Sequence, residues 1–457
     1  MVLIRSSTQF SPCRRRENWI VERRHPATVR SVRTFLFWSL LLFKVAPCLA
    51  QSFNDFDLPP HDYYNAKLND PMTQLVEKVG QGKVDLGPEP GKDRVQRLLD
   101  ALEVPVESQV LVFTKTSLQR RVVNPKNPRA IFFNEDSYVG WMPNGRIEVA
   151  SFDPKVGPVF FYERPLDERD GPMFTKPDSC IGCHAGSAAN FMPGLLGRSV
   201  FPDPTGRNLK SITSADQSGH EVPFHDRWGG WYVTGQHGGL RHMGNAFAKR
   251  QDKKVTIERE KHANIKRLND YINVDDQLTT GSDVLALMIL DHQIGMHDRL
   301  IEAHYRVRHV LHEENLLDHE DTLLTDEANR VLAKEADRVL RYLLFHDEQP
   351  LAGDRRVSGH GAFEGTFLAN RNTDHDGRSL KDLQLIDHMF KYRCSYMIYS
   401  KSFQGLPTIL KGRIYRDLAE NLISASPTKF YQQLEAEERR AIFAILKATL
   451  PEFVTHI

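Results

Sequence analysis

Cysteine is scarce: five residues in a chain of 457. A scaffold stapled by disulfides is excluded on that count. No charge sign dominates either, with 60 Lys and Arg against 59 Asp and Glu. Glycine (29) and proline (25) are at ordinary levels, which excludes collagen-like and low-complexity chains. Apolar runs long enough to cross a membrane, about 20 residues, are missing, and with them any polytopic membrane architecture. There is no G-x-S-x-G, P-loop or dinucleotide-binding glycine motif, and no internal repeat. What is present is an ordinary globular composition, 40% hydrophobic and 26% charged. At about 150 residues per domain it suffices for two or three domains with ample core.

The charge is unevenly spread. The first 50 residues hold nine basic groups and two acids, a net of +7, so the remainder carries about −6 against a total of +1. An acidic bulk argues against a general nucleic-acid binder. After Arg33 comes the short apolar run Phe35–Phe43, then Val45-Ala46-Pro47-Cys48-Leu49-Ala50. A basic flank, a short apolar core and small residues at Cys48 and Ala50 read as an export signal over residues 1–50, cleaved after Ala50. The alternative is an uncleaved anchor helix; cleavage leaves no stable membrane span. Cys48 follows Pro47, a poor context for lipidation. The expected location is the periplasm or cell envelope.

Export leaves Cys180, Cys183 and Cys394. The first two belong to Cys180-Ile181-Gly182-Cys183-His184, the C-x-x-C-H pattern of covalent haem attachment. Two thiols form thioethers at one edge of the macrocycle, and the adjacent imidazole is held beneath the iron as an axial ligand. The rival readings are a redox C-x-x-C or half of a zinc site. A second Cys pair or an H-x₃₋₅-H partner at finger spacing is missing. The expectation is one covalent haem c, with His184 as proximal ligand.

Here the chain resembles the cytochrome c superfamily. The resemblance extends to Phe191-Met192-Pro193-Gly194-Leu195-Leu196-Gly197-Arg198, similar to the G-P-x-L-x-G segment that follows the motif in class I cytochromes. It implies that the Pro193 carbonyl accepts a hydrogen bond from the His184 imidazole and orients it; a simple turn is the alternative reading. The chain is also similar to a set of large, exported, single-haem bacterial proteins with cytochrome c-like annotation. The residues that carry this are Cys180–His184, Gly197–Val200, Arg227–Gly235 and His242–Asn245. It implies architecture and haem content, without a defined reaction.

Electron-transfer haems carry a second axial ligand, whereas an open site permits peroxide or gas chemistry. Met243 lies 59 residues after His184, similar to the distal-Met separation in class I cytochromes. His237 and His242 are alternatives, as is an open site; Met192 is very close to His184 in sequence. Trp228 and Trp231 suit packing on a porphyrin face. Arg198, Arg227 and Arg241 suit the haem propionates. For each of these residues taken singly, a core or surface role is an equal reading.

The expected fold is mainly α with a small antiparallel β subdomain: a cytochrome c-like haem module embedded in a larger α+β protein with a helical C-terminal domain. Residues 51–165 form an N-terminal α+β region, with helices over 63–79 and 92–103. Strands are expected at 109–114, 130–134, 138–142, 146–151 and 159–163, with a hairpin signal at Asn144-Gly145. The haem module spans 166–248, with loop sequence before the motif. A charged surface connection covers 249–281. The helical domain covers 282–457, with a long helix over 283–312, a second capped by Thr325, and one starting at Ser379-Leu380-Lys381-Asp382. Two more helices lie near 408–423 and 435–449.

Three C-terminal features offer weaker chemistry. His292, His297 and His304 share one predicted helix, but not at the i, i+4 spacing of a metal pair, so structural roles are expected for them and for Asp291. Asn372-x-Asp374-x-Asp376-Gly377 is like the start of a Ca²⁺ loop, yet position 12 is Leu383 rather than Glu. Cys394 reads as a buried, inert thiol. The leading functional expectation is a periplasmic mono-haem electron-transfer protein serving a redox partner protein. The alternatives are a haem c-dependent peroxidase or oxidoreductase with an open or labile sixth ligand, and a haem-based sensor or interaction protein.

Overall fold

A computed structural model of the chain describes residues 55–165, 171–211, 218–259, 263–317 and 323–456; the expected export signal lies outside them. Asp70 starts the first helix. Its carboxylate accepts from the Met72 and Thr73 N–H groups and Pro71 takes the first helical position, so α1 runs Pro71–Gly80. The helix expected over 63–79 is therefore shorter: the chain before Asp70 turns instead, with Asn65 and Ala66 bonded back to the Asp62 carbonyl. Helix α2, Lys92–Ala101, buries Val95, Leu98 and Leu99, the positions its spacing marks.

Six strands follow as one antiparallel meander, each paired with the next. They are β1 (Val110–Val112), β2 (Arg129–Phe133), β3 (Ser137–Trp141), β4 (Glu148–Asp153), β5 (Gly157–Glu163) and β6 (Phe174–Thr175). The first five coincide with the β-branched and aromatic runs; β6 is too short to show a pattern. Asn144, between β3 and β4, has φ +60, a conformation Asn tolerates better than other L-residues. The register pairs Ile131 with Gly140, Gly140 with Glu148, and Glu148 with Tyr162. Beside that row, Tyr138 opposes Ala150, and Ala150 opposes Phe160. Side chains alternate along a strand, so these residues share one face while Ser151 and Glu163 share the other.

Helices cover both faces. On the Ser151 side, the Met72 N–H donates to Ser151 Oγ at 3.1 Å. Arg94 of α2 meets Glu163 at 2.6 Å, both side chains 4% exposed. The second Glu163 oxygen accepts from the Ile147 N–H at 3.0 Å. Glu163→Ala leaves a buried guanidinium uncompensated and is expected to destabilise the fold by about 3–5 kcal/mol. Chemical denaturation reads this directly, and a loss below about 1 kcal/mol, the range of exposed pairs, would refute it.

The opposite face is covered by α4, Val284–Glu313, whose N-cap Asp283 accepts from Leu285 and Ala286. Tyr138 Oη donates to Gln293 Oε1 at 3.1 Å, and His297 stacks on Phe152 with ring centroids 3.6 Å apart. Nearly all of the first half of α4 is buried, because the helix runs between the sheet and the C-terminal helices. Thr325 caps α5, Asp326–Leu343, through the Ala328 N–H. Beyond it lie α6 (Phe363–Ala369), α7 (Lys401–Gln404), α8 (Thr408–Leu422), α9 (Ala436–Thr449) and α10 (Pro451–Val454), with α5 on α4, α8 on α5 and α9 on α8. Ser379 opens no helix. Its N–H donates to the Asp382 carboxylate at 3.0 Å and the Asp382 N–H returns to the Ser379 carbonyl, closing a turn, and Leu385 at φ +62 redirects the chain.

Two small hairpins complete the described elements: β7 (Val200–Pro202) with β8 (Asn208–Ser211), and β9 (Ala248–Gln251) with β10 (Lys254–Ile257). The second shows that the charged stretch after 248 is partly ordered as an exposed ribbon. The fold is thus mixed α/β, with small antiparallel sheets and a helical C-terminal region. Residues 51–457 form one unit, and its core runs continuously from Tyr63 to Phe453, across the boundaries expected at 165, 248 and 281. Among the described residues, no helix is long and apolar enough to cross a membrane.

Candidate functional site

The C-x-x-C-H residues fold as a helical corner. A 3₁₀ turn, Asp178–Cys180, runs directly into the one-turn helix α3, Ile181–His184, with Cys180 itself helical at φ −65, ψ −44. Positions i, i+3 and i+4 lie on one side of such a helix. Cys180, Cys183 and His184 accordingly line the same cleft, a space of about 1200 Å³ that includes its opening to solvent.

The sheet supplies the floor through Ile131, Tyr138, Gly140, Glu148, Ala150, Phe160 and Tyr162. Gly140 and Ala150 are the small residues of that face, leaving a recess between larger neighbours. The opposite wall is formed by Leu195, Leu196, Arg198, Trp231, Leu290 and Ile294.

His184 is fixed from behind. Asn190 and Phe191, at φ +50 and +59, reverse the chain, so that the Gly194 N–H donates to the His184 carbonyl at 2.9 Å. His184 Nδ1 in turn lies 2.9 Å from the Gly194 carbonyl oxygen. The acceptor is therefore Gly194, not Pro193: the reversal at 190–191 brings residue 194 level with the imidazole, and Pro193 is buried beside it. Burial holds the His184 imidazole below its usual range, opposed by the Gly194 hydrogen bond. A neutral ring donating from Nδ1 presents its Nε2 lone pair, the form in which histidine ligates metals. Its ring packs on Phe160 at 4.2 Å. Burial pushes the Cys180 thiol up to about 11, with Glu148 and Cys183 adding to it. The reactive cysteine of a redox C-x-x-C has the opposite tendency.

Of the other expected contacts, Arg198 and Trp231 line the cleft, and Trp231 Nε1 donates to the Arg198 carbonyl at 2.9 Å. The remaining residues point elsewhere. Gly229 lets the 228–231 turn close against the backbone: a Cβ there would meet the Val200 carbonyl oxygen at 2.1 Å. Trp231 lines the cleft whereas Trp228 does not, and Trp228 Nε1 donates to Asp291 Oδ2 at 2.9 Å. Arg227 is buried, donating to the Val222 and His220 carbonyls at 2.7 Å. Arg241 is exposed and outside the cleft lining.

Met243 is wholly buried in a separate apolar cluster with Val222, Phe201 and Ile257, its sulfur 3.8 Å from the Arg259 guanidinium. His237 and His242 bond to each other, Nε2 to Nε2, at 3.0 Å. None of the three lines the His184 cleft. Burial and the neighbouring His237 hold the His242 imidazole down to about 3.

Arg129 and Glu148 line the cleft without having been singled out in the sequence. Glu148 accepts from Arg129 Nη1 at 2.5 Å, Ser117 Oγ at 3.1 Å and Gln119 Nε2 at 3.0 Å. Strand alternation alone would have put Glu148 and Ala150 on one face; that this face opposes the motif is a tertiary fact.

Of His292, His297 and His304 on α4, the first two are occupied within the core, whereas His304 is buried with its Nε2 lacking a hydrogen-bond partner among the described residues. His292 uses Nδ1 on His220 at 2.8 Å and Nε2 on Ser395 at 2.7 Å. His297 uses Nδ1 on Ser402 at 2.9 Å and Nε2 on the Glu135 carbonyl at 3.0 Å. Asp374 is committed to Arg378 at 2.8 Å and to the Asp376 and Arg378 N–H groups. Cys394 is buried and its thiol is pushed up by burial. Compared with known proteins, the chain matches no family model, no curated protein and no solved structure.

Proposed function

We propose that the mature chain is an exported mono-haem c-type protein. In this reading Cys180 and Cys183 hold one haem covalently, His184 ligates its iron, and the protein exchanges electrons with a redox partner protein. The observation that carries it is the convergence of both thiols and a Gly194-oriented imidazole on one mainly apolar, solvent-open cleft. The bound haem supplies one-electron ferric–ferrous exchange.

The residues present fit that group. Gly140 and Ala150 leave a recess on the floor, while Tyr138, Phe160 and Trp231 supply aromatic walls that exclude water. Arg198 Nε and Arg129 Nε are buried without a hydrogen-bond partner among the described residues. Such guanidinium N–H groups suit the propionate carboxylates. Of the contacts expected from the sequence, Arg198 and Trp231 belong to this reading; Arg129 replaces Arg227 and Arg241.

A second reading has its own observation. Among the described residues, His184 is the sole His or Met lining the cleft. That favours an iron whose sixth position takes water or a small exogenous ligand, as in a haem-dependent peroxidase, oxidoreductase or sensor, over coordination by Met243, His237 or His242.

The optical spectrum of the exported protein tests both readings. Haem is expected to stay with the chain through acid–acetone extraction, and haem that extracts overturns covalent attachment. A high-spin ferric spectrum, unaltered by Met243→Ala, supports the open site. A low-spin spectrum that Met243→Ala or His242→Ala converts to high spin restores the six-coordinate electron carrier.

A further inference from the structure

The peptide unit joining Gly194 to Leu195 has a partner on each side. Its carbonyl oxygen lies 2.9 Å from His184 Nδ1. Its N–H donates to Asp298 Oδ1 at 3.0 Å. The two bonds share one planar, resonance-coupled group. An N–H held by a carboxylate makes the carbonyl at the other end of the same peptide a stronger acceptor, since linked hydrogen bonds polarise one another.

The arrangement is built from α4. Asp298 and Glu302 are four residues apart and so lie on one side of that helix. Glu302 Oε2 accepts from Asn190 Nδ2 at 3.2 Å, so the helix grips the reversed loop at both ends. Gly194 permits the close approach: a Cβ there would lie 2.9 Å from Asp298 Oδ1 and 3.2 Å from the Ala189 Cβ. Neither Asp298 nor Glu302 carries a sequence signal, being 114 and 118 residues beyond His184.

We infer that Asp298 is a positioning residue for His184, acting through the Gly194–Leu195 peptide to hold the imidazole as its Nδ1–H tautomer and to strengthen Nε2 as a metal donor. It is the carboxylate–histidine–metal arrangement with a peptide inserted between acid and imidazole. The inference deepens the haem reading and rests on it for the metal, while the coupling to the imidazole is measurable without haem.

Asp298→Asn keeps the shape and the acceptor oxygen but removes the charge; Asp298→Ala removes both. Measurements belong at pH 8, because burial pushes the Asp298 carboxyl up to about 7. In the mature chain produced without haem attachment, ¹⁵N NMR of His184 is expected to show the Nδ1–H tautomer. Asp298→Ala should raise the Nε2–H population several-fold, with Asp298→Asn intermediate. In the haem-loaded protein, Asp298→Asn should leave haem content unchanged and favour the ferrous state about tenfold, an upward shift of about 59 mV for one electron. A wild-type tautomer together with a wild-type potential in both variants overturns the inference. A tautomer that responds in a chain that never acquires haem upholds the coupling and overturns the haem reading instead.

Discussion

The Cys180→Ala, Cys183→Ala double variant is expected to fold and be exported without any covalently attached haem, while each single variant retains one thioether and binds less haem. The prediction follows from where the two thiols sit. They are neighbours on one helical turn facing one cleft, and no further cysteine among the described residues lines that cleft, the remaining one, Cys394, being buried elsewhere. No other side chain can substitute for the missing sulfurs. Folding is preserved because Cys183 is exposed and Cys180 only partly buried, so truncation should cost about 1 kcal/mol or less, the ordinary range for a point change. His184→Ala separates attachment from ligation: the thiols remain, and the loss should appear in the iron spectrum rather than in the mass of the chain. Mass spectrometry of the exported variants, with absorbance after acid–acetone extraction, reads all of these. Haem still bound to the double variant after extraction would sink the assignment of both cysteines.

Acid is the second large effect. Burial holds the imidazoles of His61, His242, His292, His297 and His304 down to about 3, and that of His220 well below its ordinary range. The unfolded chain protonates these groups near 6.5, so falling pH favours unfolding. Three buried carboxyls work the other way. Burial raises Asp136 and Asp291 to about 6 and Asp298 to about 7; the fold binds these protons before the unfolded chain does, so acidification relieves their cost. Near pH 5, six histidines oppose three carboxyls, and unfolding takes up about three protons net. Stability should then fall by about 4 kcal/mol for each pH unit lost. A total of about 5–15 kcal/mol is exhausted within a few such steps. Denaturation midpoints between pH 7 and 4.5 test this, and a flat profile across that range would refute it. His297→Gln should reduce the slope, since His297 gives both ring nitrogens to partners, Ser402 Oγ and the Glu135 carbonyl.

What could be read directly was local. Cys180, Cys183 and His184 are within five consecutive residues, so their chemistry needs one helical turn and nothing distant. Asp283 and Thr325 cap the helices they precede, because a cap is a bond to an N–H two or three residues on. Strands β1–β5 followed from alternation and aromatic content, whereas the short hairpins β7–β8 and β9–β10 carried no such pattern. Where two local signals compete, the one with the better-placed backbone partners wins. Asp70 with Pro71 set a helix start inside a longer apolar pattern, and the Ser379–Asp382 pairing closed a turn where it resembled a cap.

The surroundings of the motif belonged to the tertiary structure. Pro193 and Gly194 are adjacent, and the left-handed turns at Asn190 and Phe191 decided which carbonyl reached His184. Met243 stands at a suggestive separation in sequence, but the packing of the 228–231 turn on β7 sent it into another apolar cluster. Arg129 and Glu148 met across the sheet, and Asp298 reached Leu195 from α4. The sequence by itself determined the C-x-x-C-H turn, the capped helices and the runs of β1–β5, because each depends on bonds a few residues long. The tertiary structure alone decided the rest of the site: strand register and helix packing join residues a hundred positions apart, and the bonds that orient a side chain form only once those elements close around it.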